Sequence, residues 1–169
     1  MFDSIGGLPL HPLLIHTAIL SVPVTLLMAL LFVVPRTRSW ARWPLAVTGV
    51  GSVVAVFLAR QSGMALASVA VHPGDVIGPL IARHAQLAGQ LQIMTAVLAV
   101  LAVVNAVVVG RVGGTAERRG SRGRDLVLMG LLLVVAAVSA FWCYRTGDAG
   151  AHAVWNPTGE QNYSSSSVR

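Results

Sequence analysis

The chain has 169 residues, of which 55% are hydrophobic and only 11% charged, and its mean hydropathy is +0.74. A soluble domain carries about 25% charged residues, so the composition excludes an ordinary water-soluble globule and points to the bilayer. The net charge of +6 comes wholly from arginine. These arginines cluster between apolar runs, so they read as topology signals, and nucleic acid is not expected as a partner.

The length suits one compact unit. No Walker motif, dinucleotide fingerprint, HExxH or nucleophile elbow is present, so an enzyme is the least expected class. The single cysteine, Cys143, lies within an apolar run and is expected to pack as a small hydrophobe. The first residues include Asp3 and no basic cluster, so the first apolar run is expected to stay as a span rather than leave as a signal peptide.

The pattern predicts an all-α bundle of four transmembrane helices with short loops. An external segment 1–11 precedes spans at about 12–34, 43–66, 81–110 and 125–145, and an external closing segment and polar tail fill 147–169. Pro12 suits the first helical turn and puts His11 at the N-cap. Pro23 is expected to bend the first span. Arg36, Arg38 and Arg42, beside Trp40 and Trp43, mark its far end at the headgroups. In the third span Gln86 and Gln90, four apart, suggest an inward polar seam. Its small residues Ala99, Ala102, Ala106 and Gly110 suggest a face for a membrane-protein partner or a homo-oligomer. The stretch Arg111–Arg124 reads as a solvated loop, and Asn156–Arg169 as a disordered tail.

The Arg36–Arg42 and Arg111–Arg124 loops hold eight of the twelve arginines. The positive-inside rule then places both loops in the cytoplasm and both termini outside a bacterial-type plasma membrane. All five histidines, His11, His16, His72, His84 and His152, fall on the outer side under this threading. His11 and His16 are five apart, about 140° on a helix, so they form no direct chelate. His16 and His84, on different helices at comparable depth, are the expected pair for a haem iron or a metal ion. A zinc or copper ion would need His11, His152 or Asp148 in addition. Arg60, Arg83 and Arg145 share the layer, where they could meet haem propionates, lipid phosphate or Asp148.

Two end motifs carry a family resemblance. Leu8-Pro9-Leu10-His11-Pro12-Leu13-Leu14-Ile15-His16 resembles the opening, and Gly147-Asp148-Ala149-Gly150-Ala151-His152-Ala153-Val154-Trp155 the closing motif, of a membrane family known as domain of unknown function 2231. His84 also matches its pattern. The resemblance spans residues 5–159 and implies a four-span membrane protein without an established activity. Some relatives look joined to cytochrome-type domains, an association in favour of haem or electron transfer. The chain departs from the family at Thr17-Ala18, where an aromatic residue and proline are usual, and at Asp148, where relatives often carry histidine.

Three functions follow as expectations. The first is an outer-leaflet histidine site for haem b or a transition-metal ion serving electron transfer. The second is a non-catalytic accessory or assembly subunit whose histidine layer is structural. The third is transport or sensing of an ion or small molecule.

Overall fold

The computed structural model describes residues 4–109 and 118–160. Four helices follow one another: α1 (Leu10–Val33), α2 (Arg38–Ala70), α3 (Gly78–Val108) and α4 (Arg118–Trp155). Each is long and apolar enough to cross a membrane. They form a ring of antiparallel neighbours in which the α1–α4 seam is the most weakly packed side. A short hairpin, β1 (Ser4–Ile5) with β2 (Leu8–Pro9), precedes α1. It turns through Gly6 and Gly7, both at positive φ, the two-glycine turn that antiparallel strands prefer.

The helix ends follow from local chemistry. Proline disfavours helical geometry in the residue before it, and Val34, before Pro35, is extended and closes α1. Arg38 then folds back, donating from Nε to the Phe32 carbonyl and from Nη2 to the Val33 carbonyl. Those carbonyls have no partner within α1. Arg42 donates to the Ala106 carbonyl at 2.6 Å and ties α2 to α3. The loop arginines thus staple this end of the bundle as well as charging it. At the other end His72, Pro73, Gly74 and Asp75 make the expected turn, with the Asp75 carboxylate accepting from the His72 amide.

Inward stripes at heptad-like spacing build the core. On α1 the stripe runs His11, Ala18, Val22, Thr25, Ala29, Phe32; on α3 it runs His84, Leu91, Thr95, Leu98, Ala102, Asn105. Gly49 of α2 lets α3 come close, since a Cβ there would lie 2.8 Å from the Ala102 Cβ.

Several expectations are revised. Ala99, Ala102 and Ala106 are buried inside the bundle, so this small-residue face packs α3 against its own neighbours. Gln86 is exposed and Gln90 half-buried; Gln92 is the residue that reaches across, its amide donating to the Val53 carbonyl of α2. The helices outrun the expected spans. In particular α4 continues through 147–155, where a separate external segment was expected. Residues 118–124 are helical as well, whereas Gly110 of the expected third span, residues 111–117 of the expected loop and 161–169 of the expected tail lie outside the described residues. Pro23 lies inside α1, as expected of the first span.

Candidate functional site

All five histidines stand at one end of the bundle, the end where α1 and α3 begin and α2 and α4 finish. The structure pairs His84 with His11: their ring centres are 6.3 Å apart and the planes lie at 77°. His16, the expected partner of His84, is exposed, and its Nδ1 bonds the Pro12 carbonyl of its own helix. The reason is where α1 starts. Because the helix begins at Leu10, both histidines are helical, and five residues of rotation allow only one to face inward.

The two rings are held in the same way. His11 Nδ1 donates to the Ala59 carbonyl of α2 at 2.9 Å, with the Ser62 hydroxyl 3.3 Å away. Ser62 donates its own proton to the same carbonyl. His84 Nδ1 donates to the Thr146 carbonyl of α4 at 2.9 Å. A carbonyl only accepts, so each Nδ1 carries the proton, and in the neutral ring the lone pair falls to Nε2. A glycine lies beneath each ring, four residues beyond the accepting carbonyl. A Cβ at Gly63 would stand 2.9 Å from His11 Cε1, and one at Gly150 would stand 3.0 Å from His84 Cε1. The glycines admit the rings and the carbonyls fix their tautomer, the arrangement metal-binding histidines commonly show.

Two imidazoles that share one metal ion have ring centres about 6 Å apart, a separation that the 6.3 Å between His11 and His84 would allow. Among the described residues no group of three or more histidine, cysteine, aspartate or glutamate side chains gathers to hold a metal. His16, His152 and Asp148 therefore do not complete a zinc-type set around His11 and His84. His152 is exposed and turned to its own helix, bonding the Asp148 carbonyl at 3.0 Å and facing the Asp148 carboxylate at 3.5 Å. His72 is likewise exposed, 3.8 Å from the Asp75 carboxylate.

The three arginines of this layer are dispersed. Arg60 is half-buried and leans on α3, its Nε 4.0 Å from where a Gly89 Cβ would stand. Arg83 is exposed beside His84, and Arg145 lies over the Phe141 ring at 5.9 Å, next in the chain to Thr146. Cys143 is buried, as expected. Gly63, Gly150, Ser62 and the two accepting carbonyls escaped the sequence reading. Their one signal was that Gly63 and Gly150 fall at matching places in the second and fourth helices.

A family model described as "Predicted membrane protein (DUF2231)" matches residues 7–160. No curated protein and no solved structure matches the chain.

Proposed function

Because the chain belongs to the DUF2231 family of predicted membrane proteins, a four-helix membrane protein is the premise, and we propose that it carries a bis-histidine site for haem b that serves electron transfer. His11 and His84 would be the residues that hold it. One observation carries this reading: two rings, each with Nδ1–H tied to a neighbouring helix's carbonyl, stand 6.3 Å apart. A pair without further protein ligands suits a metal whose other positions are filled by a macrocycle. It suits zinc poorly, which takes three or four protein ligands. Bound haem would supply a one-electron couple, and the protein would supply ring orientation and apolar walls. Arg83 and Arg145, adjacent in the chain to His84 and Thr146, would be the cations that meet its propionates.

The asymmetry of the arginines supports a multi-pass arrangement in a bacterial-type plasma membrane. The Arg36–Arg42 and Arg111–Arg124 loops are then cytoplasmic, and the histidine end faces outward. The test is the absorption spectrum, before and after dithionite, of full-length protein from cells supplied with haem. A reducible haem band should be present, lost in His11→Ala and in His84→Ala, and kept in His16→Ala. A band that survives either inner-histidine change, or a colourless and metal-free preparation, overturns the proposal.

A second reading has its own support. Both Nδ1 atoms are satisfied and the rings lie near each other, edge to face with centres 6.3 Å apart, so the pair can act purely as a lock between the two hairpins of an accessory or assembly subunit. On that reading the preparation is colourless, and His11→Ala and His84→Ala lower thermal stability with no spectral change.

A further inference from the structure

The molecule is built twice over. The inward stripes of α1 and α3 advance by the same steps of 7, 4, 3, 4 and 3 residues from His11 and from His84, 73 positions apart. On the returning helices, Leu45, Ser52, Ala59 and Gly63 stand 87 positions before Leu132, Ser139, Thr146 and Gly150. Each hairpin enters with its histidine and receives that ring on its second helix. The hairpins are thus related by an approximate two-fold axis along the bundle, the relation seen in parallel membrane repeats. The α1–α4 and α2–α3 seams are therefore equivalent places.

They are not equivalently filled. In the α2–α3 seam Arg60 spreads over α3 at Gly89, and Gln92 donates to the Val53 carbonyl at 3.4 Å. The α1–α4 seam has Gly147 where its counterpart has Arg60, and Ile19, which cannot donate, where its counterpart has Gln92. The result is a lateral groove of about 320 Å³ whose lining includes Ile19, Pro23, Cys143, Tyr144, Gly147 and Asp148. That volume falls within the roughly 300–1,000 Å³ of small-molecule sites. A Cβ added at Gly147 meets nothing within 4 Å, so the space left by the missing side chain is open.

We propose that this groove binds a neutral, lipid-soluble amphiphile with a hydroxyl-bearing ring head, the chemistry of a chain-substituted phenol or hydroquinol. The walls are apolar and flanked by bilayer-facing side chains, Ile19 at 45% and Tyr144 at 69% exposure, so the ligand enters from the lipid. Two groups in the groove ask for a hydrogen-bond donor. Pro23 has no N–H to give the Ile19 carbonyl, which leaves that acceptor available inside the hydrocarbon. Asp148 also lines the groove, and its carboxylate, one oxygen of which faces His152 at 3.5 Å, keeps the capacity to accept from a ligand. The carboxylate repels the phosphate of a phospholipid and favours an uncharged hydroxyl. None of this depends on what His11 and His84 hold.

Cys143 lines the groove and is the only cysteine, so it reports occupancy directly. The experiment follows alkylation of Cys143 by N-phenylmaleimide in the full chain in lipid nanodiscs, with 4-decylphenol or its methyl ether added. The phenol should slow labelling, and the ether, which lacks only the donor, should need about tenfold more for the same protection. Gly147→Leu, which fills the groove, should abolish the protection, and Asp148→Asn should weaken it. Equal protection by phenol and ether, or protection that survives Gly147→Leu, overturns the proposal. Should the thiol resist the reagent without ligand, thermal stability decides: a Tm raised by the phenol and not by the ether supports the site, and equal shifts refute it.

Discussion

Adding one methyl group beneath either histidine tests whether the glycines are there to seat the rings. In Gly63→Ala the new Cβ would lie 2.9 Å from His11 Cε1 and 3.1 Å from Nδ1; in Gly150→Ala the corresponding distances to His84 are 3.0 and 3.1 Å. Each ring must retreat by about half an ångström to reach ordinary van der Waals contact. The retreat stretches a 2.9 Å bond from Nδ1 to the neighbouring carbonyl. An interhelical hydrogen bond in a membrane is worth about 0.6 kcal/mol on average and up to about 1.7. Against that, alanine in a helix interior gains about 0.5–1 kcal/mol over glycine. The two terms nearly cancel, so global stability should stay within about 1 kcal/mol of the parent while the rings move. Gly130→Ala is the control, because a Cβ at that exposed helical position meets nothing within 4 Å and gains the helix term alone. Two measurements decide: unfolding in detergent followed by circular dichroism, and ring 15N signals of His11 and His84. The parent should show both rings as the Nδ1–H tautomer, each glycine variant should perturb its own histidine, and Gly130→Ala should perturb neither. Ring signals in Gly63→Ala and Gly150→Ala that match the control would refute the seating role.

Other consequences concern packing and threading. Gly49→Ala pushes a methyl to within 2.8 Å of the Ala102 Cβ and 3.5 Å of the Ala99 backbone, so it should part α2 from α3 and cost about 1–3 kcal/mol in the same unfolding assay. Asn105 is fully buried and ties α3 to the Leu128 carbonyl of α4 at 3.2 Å, yet among the described residues its Oδ1 has no partner. Asn105→Leu loses that bond but also removes an unsatisfied acceptor, so stability should change by less than about 1 kcal/mol. In a Cys143→Ala background, a cysteine at exposed Ser68 should react with an impermeant thiol reagent in intact cells, and one at exposed Ser39 only after permeabilisation.

Much of the fold is legible because a bilayer imposes few choices. Four apolar runs separated by arginine and turn clusters become four helices, since no other open structure satisfies the backbone in lipid. The helix ends are less legible. The sequence alone does not reveal that Gly150 remains helical, because what makes it useful there is a histidine more than sixty residues earlier. The choice between His11 and His16 turned on two residues of helix at the start of α1, which a pattern of apolar positions cannot resolve. Nothing in the spacing favours Gln92 over Gln86 and Gln90 for a related reason: i,i+4 spacing shows that two residues share a face but not which way that face points.

Read in isolation, each histidine is ambiguous, as is each glycine opposite it. The ambiguity lifts when they are taken as a set that recurs. A histidine at the head of a helix, and on the next helix a carbonyl and a glycine four residues beyond it, appear in both hairpins in the same order. Each hairpin turns one imidazole inward, His11 or His84, while His16 and His152 stay exposed, so any ligand that needs the two inner rings must be shared across the approximate axis. Binding would then hold the hairpins together at the histidine end, as the arginines hold neighbouring helices at the other. Divergence between the copies has a complementary effect. It leaves the shared end alone and alters the seams, closing one with Arg60 and Gln92 and opening the other at Gly147 and Ile19. The paired histidines are thus the feature the two halves have in common, and the lateral groove is the feature that distinguishes them.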